Sequence, residues 1–313
     1  MKPTKIRYRV TNWSDYNQAL IRRGDISLWL DETVIDQWQR PQPTGRAGRP
    51  WSYSDVAVQC MLALRLLYHL PLRAAQGLLL SLFTLLDCPL PVPDYSTLCR
   101  RQRHLAIPLN VQASDQPRHI LIDSTGLKVF GEGEWKVRNY GAETRRTWRK
   151  LHLAVDADTR EIVATVLTDK ETADCEVLPQ LLLKINGSIR KVYADGAYDT
   201  WECRYALTHY QAEAVIPPRE NAVTKGNDLC PEVAQRDQAI RIVAQEGLAA
   251  WKQQSGYRRR SLAETTMFRV KKSLGEHLRA RVIQNQIAEA VMKSRILNDF
   301  IHQGLPLSVK IKS

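Results

Sequence analysis

Three acidic side chains stand where acids are awkward. Asp123 follows the apolar run "HILI", and Asp195 follows "KVYA" and precedes Gly196, so each is expected at the mouth of a buried strand. In open α/β sheets, sites form just outside the carboxyl ends of the strands. Two carboxylates there repel each other unless positive charge lies between them, which a divalent cation supplies. Oxygen-only ligands favour Mg²⁺ or Mn²⁺ over zinc. Taken singly, either Asp would serve equally well to open a turn, the role expected for Asp156 and Asp158 in "DADT". The third acid, Glu264, lies in "YRRRSLAETTMFRVKK", a run otherwise dominated by bases. On a helix, Tyr257, Arg260, Glu264 and Lys271 fall within an arc of about 60°, with Phe268 beside them. Such a stripe suggests more than a solvated face. The competing reading is an i, i+4 pair of Arg260 with Glu264, worth roughly a few tenths of a kcal/mol.

These residues need a scaffold. From residue 117 the chain reads as short strands alternating with helices. "RHILIDSTGLKVF" is a buried strand, and "WRKLHLAVDADTREIVATVLTD" is an antiparallel hairpin. A helix over 174–185, a strand in "RKVYADGAYD", a helix over 200–211 and a brief strand in "AEAVIPPR" follow. Helices are expected over 231–254, 257–274 and "IQNQIAEAVMKSRILNDFIHQ". A hairpin followed by βα units gives an α/β architecture, a mixed sheet with helices on both faces, in the order of the ribonuclease-H-like fold.

Ahead of this lie three candidate helices. The first, over 53–70, has Ser54 as a cap; the second, over 71–86, opens with Pro71 at a first helical position. "PVPDYSTLCRRQRHL" has Asp94 or Ser96 as its cap and carries Arg100, Arg101 and Arg103. Two apolar helices and a short basic one have the layout of a helix-turn-helix. A plain helical bundle with a solvated basic face fits equally well. The expected division is an N-terminal segment with a basic Pro/Gly linker (1–50), an all-helical region (51–115), a catalytic core (117–275) and a C-terminal helix and tail (276–313).

The totals limit the partners. The chain has 313 residues, room for roughly two domains. Its net charge of +12 points to a polyanion, most often nucleic acid. The segment 134–152 interleaves Lys136, Arg138, Arg146, Arg149 and Lys150 with Trp135 and Trp148, which suits a DNA-facing hairpin. Packing is the alternative for each Trp, and the favoured one for Trp148. His152, on the hairpin strand, is read as structural. No two of the six cysteines have metal-like or redox spacing, no apolar signal core opens the chain, and no apolar stretch is long enough to span a bilayer. A cytoplasmic protein with free thiols is expected.

The motifs together resemble one family. Tyr257, Arg260, Glu264 and Lys271 match the Y-x2-R-x3-E-x6-K signature of bacterial insertion-sequence transposases, and "LIDSTG" and "ADGAYD" resemble their two Asp motifs. "STGLKVFGEGEW", "RRTWRKLHLAVD" and "IPPR" look like the insertion-sequence-five family. "TNWSDYNQALIRRG", "LRAAQGLLLSLFTLL" and "PDYSTLCRRQ" look like its nine-oh-three branch. The resemblance implies a DDE transposase that cleaves phosphodiester bonds at the ends of an element and joins the freed 3′-hydroxyl to target DNA. It implies two Mg²⁺ ions, replaceable by Mn²⁺, with Asp123 bridging both and Asp195 and Glu264 each holding one. Tyr257, Arg260 and Lys271 would hold DNA near the scissile phosphate. Double-stranded DNA is the implied partner, and pairing of two ends implies a homodimer or larger assembly. The competing function is a DNA-binding regulator without catalysis. A junction-resolving nuclease of the same fold is a third reading.

Overall fold

The computed structural model describes residues 7–39, 52–129, 148–226 and 229–311. It divides into one unit formed by 1–106 with 296–313, and a second formed by 107–295. These divisions fall earlier than 115–117 and later than 275–276, where composition placed them.

The first unit contains α1 (Trp13–Arg22), α2 (Glu32–Asp36), α3 (Asp55–Leu67), α4 (Leu72–Leu85) and α5 (Tyr95–Arg101). It is not all helical: strand β1 (Arg7–Val10) pairs antiparallel with the C-terminal strand β8 (Ser308–Ile311). Ser54 caps α3 by accepting the Ala57 amide, and Asp94 caps α5 by accepting the Ser96 amide. Pro71 stands at the N-cap of α4 rather than inside its first turn. Helices α3 and α4 meet at 109°, within the range of a helix-turn-helix pair. Their core closes on Trp38, which is fully buried, packs edge-on against Phe83 and donates its indole N–H to the Pro91 carbonyl. Among the described residues no single helix is long and apolar enough to cross a membrane.

The second unit is built on a mixed sheet. Strands β2 (Arg118–Val129), β3 (Trp148–Asp156) and β4 (Ile162–Asp169) run antiparallel in succession. Strands β5 (Ile189–Tyr193) and β6 (Glu213–Val215) lie parallel to β2 and extend its other side. The order is β4-β3-β2-β5-β6, with the short β7 (His277–Leu278) joining the far end of β2. This is the hairpin-then-βα order expected from the sequence. Helix α6 (Asp174–Leu182) links β4 to β5, and α7 (Trp201–His209) links β5 to β6. The expected 231–254 helix is two, α8 (Pro231–Glu246) and α9 (Leu248–Gln254), because Gly247 takes φ +88°. The expected 257–274 helix is a 3-10 turn over Tyr257–Arg260 followed by α10 (Ser261–Leu274). The last helix, α11, spans Ile283–Gln303.

Alternation along β2 serves two faces. Ile120 and Ile122 join Ala154, Ala164, Val177, Leu178 and Leu181 in one buried cluster, under α6. Each such Leu, Ile or Val contributes roughly 1.5–3 kcal/mol by leaving water. Leu121, Asp123 and Leu127 therefore project to the other face, where α10 packs on β2 and β3. A strand covered on both sides reads as a continuous apolar run, which is why "HILI" lacks alternation.

Two buried polar features tie this sheet together. Asp156 does start the "DADT" turn, accepting the Asp158 and Thr159 amides, yet it is also buried in an ion pair with Arg118 at 2.6 Å. His152 is fully buried, with Nε2 2.9 Å from Thr168 Oγ1. Burial holds its pKa down to about 4, with Asp174 pulling it up and Lys150 pushing it down.

Arg118→Met strands the Asp156 charge and is expected to cost about 3–5 kcal/mol, read as a lower urea midpoint. An unchanged midpoint would show that the pair adds no stability. A depressed His pKa makes a stability contribution that is complete above the unfolded value near 6.5 and is lost as pH falls toward 4. The His152 ring is expected to stay neutral through pH 6.5 and to titrate near pH 4 in a proton NMR titration. A midpoint near 6.5 would contradict its burial.

Candidate active site

The three carboxylates come from three different elements. Asp123 lies within β2 rather than at its end, since β2 continues to Val129 along β3. On its other side the pairing with β5 stops at Leu121↔Tyr193, so Asp123 borders the gap where the sheet opens. Asp195 follows β5 directly and caps a 3-10 turn over Gly196–Tyr198 by accepting the Ala197 amide at 2.9 Å. Glu264 sits in the first turn of α10, exposed.

Arg260 joins them. Its Nη1 donates to Asp123 Oδ2 at 2.8 Å, and its Nη2 donates to Glu264 Oε1. Because Tyr257 and Arg260 lie on a 3-10 turn, the single α-helical stripe expected from the sequence is broken before Ser261. The Arg260 guanidinium nevertheless reaches both acids and also lies 6.0 Å from the Tyr257 ring centre. Tyr257 in turn packs against Trp251, with ring centres 5.5 Å apart. Lys271 is half-buried near the end of α10, and Phe268 is 65% exposed.

The electrostatics report a crowded negative site. Burial raises the Asp123 pKa, Arg260 and the Ser124 amide lower it, and the charges of Asp195 and Glu264 raise it further. Burial alone would lower the Arg260 pKa, but Asp123, Tyr257, Glu264 and Asp195 together raise it. Tyr257 is raised by burial, with Asp195 and Asp123 adding to the effect and Arg260 opposing it. Burial is the largest cause of the Asp123 and Tyr257 shifts, and the neighbouring acids add to it a local shortage of positive charge.

That shortage is what a hard cation would relieve. Among the described residues no three His, Cys, Asp or Glu side chains stand close enough to share an ion as they are. The Arg260 guanidinium stands between Asp123 and Glu264 as the cation instead. Oxygen-only donors around a position already held by a cationic group fit Mg²⁺ or Mn²⁺.

Several supporting residues carried no assigned role in the sequence reading. Asp199, the last residue of "ADGAYD", is completely buried, and it accepts from Arg204 Nε at 2.8 Å, Arg236 Nε at 3.1 Å and the Arg219 amide at 3.2 Å. Although burial alone would raise its pKa, Arg236, Arg204 and the Arg219 amide hold it low. Arg219, from "IPPR", also donates to the Gly196 and Ala197 carbonyls of the turn that Asp195 caps, at 3.5 and 3.4 Å. This network fixes the turn from behind. Arg259 pairs with Asp158 and His119, locking the 3-10 turn of Arg260 to the β3–β4 corner.

The other bases expected at DNA divide. Arg100 and Arg103 are exposed. Arg101 is a correction: it is buried, bonding Asp55 and the Tyr53 carbonyl, and has no open face for a phosphate. Arg149 is engaged by Asp169 and Gln286, and Lys150 by Asp174 and the Thr172 carbonyl. Trp148 packs over Gly126, where an added Cβ would meet its ring at 3.1 Å. Lys136, Arg138, Arg146 and Trp135 lie outside the described residues.

Two family profiles, both described as a transposase DDE domain, match residues 114–298 and 21–132. A solved structure, the cryo-EM structure of the piggyBac transposase synaptic complex with hairpin DNA, aligns at 10% identity and a TM-score of 0.35, covering 95% of this chain and 78% of that one. That likeness is too low to bear on fold or function. The first profile alone spans more than half of the 313 residues, from before β2 to the last helix, and by it the chain belongs to the DDE transposase family.

Proposed function

We propose that this protein is the transposase of a bacterial insertion sequence of the insertion-sequence-five kind. In this reading it binds the terminal inverted repeats, cleaves phosphodiester bonds at the element ends and joins the freed 3′-hydroxyl to target DNA. One observation carries the proposal: Asp123 and Glu264, from a strand and a remote helix, share the guanidinium of Arg260, and the charge of Asp195 acts on Asp123.

Asp123, Asp195 and Glu264 would hold two Mg²⁺ ions, with Mn²⁺ as a substitute. Bound there, the ions would lower the pKa of attacking water and offset charge on the leaving oxygen. The chain's own residues do the rest. Arg260, once relieved of its carboxylates, is left to face a phosphate. Tyr257 holds that arginine from one side, and Lys271 supplies a second positive contact along α10. Arg100 and Arg103 suit contacts to the DNA backbone from the helical unit, in keeping with the net charge of +12. Pairing of two element ends calls for a homodimer or larger assembly on DNA.

Asp123→Asn, Asp195→Asn and Glu264→Gln are each expected to lower Mg²⁺-dependent cleavage of a labelled element end by at least about a thousandfold, equivalent to about 4 kcal/mol of barrier. Gel-shift affinity should stay close to wild type. Cleavage by Asp123→Asn at the wild-type rate would defeat the site assignment; binding by the wild type without any cleavage would favour a regulator. Lys271→Ala is expected to weaken DNA binding and to reduce the slope of log K against log salt by about one. An unchanged slope would remove Lys271 from the phosphate contacts.

A further inference from the structure

Behind Asp123, on the opposite face of the sheet, lies another carboxylate that the proposed chemistry does not use. Asp174 is the first residue of α6. Its Oδ2 accepts from Ser124 Oγ at 2.8 Å, and its Oδ1 accepts from Lys150 Nζ at 3.1 Å. Ser124 pairs across the sheet with His152, and Gly126 with Lys150, so these side chains share the α6 face while Asp123 hangs from the other. Ser124 also touches Asp123: its amide donates to Asp123 Oδ1 at 2.9 Å.

The surroundings of Asp174 are poorly suited to packing alone. The Thr168 hydroxyl donates to the Asp169 carbonyl, so His152 Nε2 must donate to Thr168 and His152 Nδ1 carries a lone pair. That nitrogen is buried without a partner, 4.0 Å from Asp174 Oδ1. The buried Tyr198 hydroxyl likewise has none. A carboxylate that faces an unpaired ring nitrogen costs stability, and such costs are tolerated where function requires the group.

We propose that Asp174 is a positioning residue for Asp123, acting through Ser124. By fixing the Ser124 hydroxyl and Lys150 on one face, it restrains the peptide unit between Asp123 and Ser124. The Ser124 amide then holds the Asp123 carboxylate in one orientation on the other face. The inference rests on Asp123 as a metal ligand. Outer partners of this kind typically change metal affinity by about 10–100-fold when removed.

The test is Mn²⁺ binding to the full-length chain by electron paramagnetic resonance, with the melting temperature measured in parallel. Asp174→Ala and Ser124→Ala should each weaken Mn²⁺ binding by about tenfold or more. Asp174→Asn, which keeps an acceptor for Ser124, should restore most of the affinity. Asp123→Asn is the control. Wild-type affinity in a folded Asp174→Ala or Ser124→Ala, with affinity lost in Asp123→Asn, would overturn the positioning role alone. Wild-type affinity in Asp123→Asn would instead overturn the assignment beneath it. If Asp174→Ala fails to fold, Ser124→Ala decides.

Discussion

Carboxylates gathered in a partly buried site repel one another unless a cation stands among them or one of them takes up a proton. Burial and the fields of Asp195 and Glu264 all press Asp123 toward its protonated form. Arg260 answers that pressure by bonding Asp123 and Glu264 together. An arginine that bridges a half-buried acid and an exposed one would be an odd device for stability, since the exposed pair gains little and the half-buried one has lost part of its hydration. It is the arrangement expected of a site whose counter-charge is exchanged in use.

The fold serves that constraint by giving each acid a different support. β2 holds Asp123 rigidly because the strand is paired with β3 past the acid while β5 has already ended. The gap so created borders the proposed site. Asp195 rests on a short turn, and the buried Asp199 with Arg204, Arg236 and Arg219 braces that turn from behind. Glu264 is carried by α10, whose Ala263, Thr266, Met267, Val270 and Leu274 lie buried. A strand, a braced turn and a packed helix are rigid elements of the kind that can hold charged groups in a fixed geometry.

Much of this was legible in the sequence because period and punctuation agreed. "HILI", the hairpin at "DADT", and the short runs ending at Asp195 and in "AEAVIPPR" gave β2 to β6 in their correct order, and only the two-residue β7 went unread. The signature at 257–271 pointed to Glu264. Its 3-10 start was not legible, because the pattern Tyr257-Arg-Arg-Arg260 has no periodicity that separates 3.0 from 3.6 residues per turn. The break at Gly247 had a visible cause in its glycine. The inward turn of Arg101 had no local signal, because its partners Asp55 and the Tyr53 carbonyl lie more than forty residues away in sequence. The β1–β8 ribbon had no such signal, being two four-residue strands some three hundred residues apart in the sequence. The roles of Asp199, Arg219 and Asp174 depended on partners distant in sequence, which no local pattern carries.

The central claim is that Asp123, Asp195 and Glu264 form a divalent-ion site at which Arg260 holds the place of the cation. Anomalous diffraction from crystals of the full chain with DNA and Mn²⁺ tests it most directly. The account predicts manganese peaks ligated by these three carboxylates, with Arg260 drawn away from Asp123. Manganese bound elsewhere, or Arg260 still bridging Asp123 and Glu264 at saturating Mn²⁺, would contradict it.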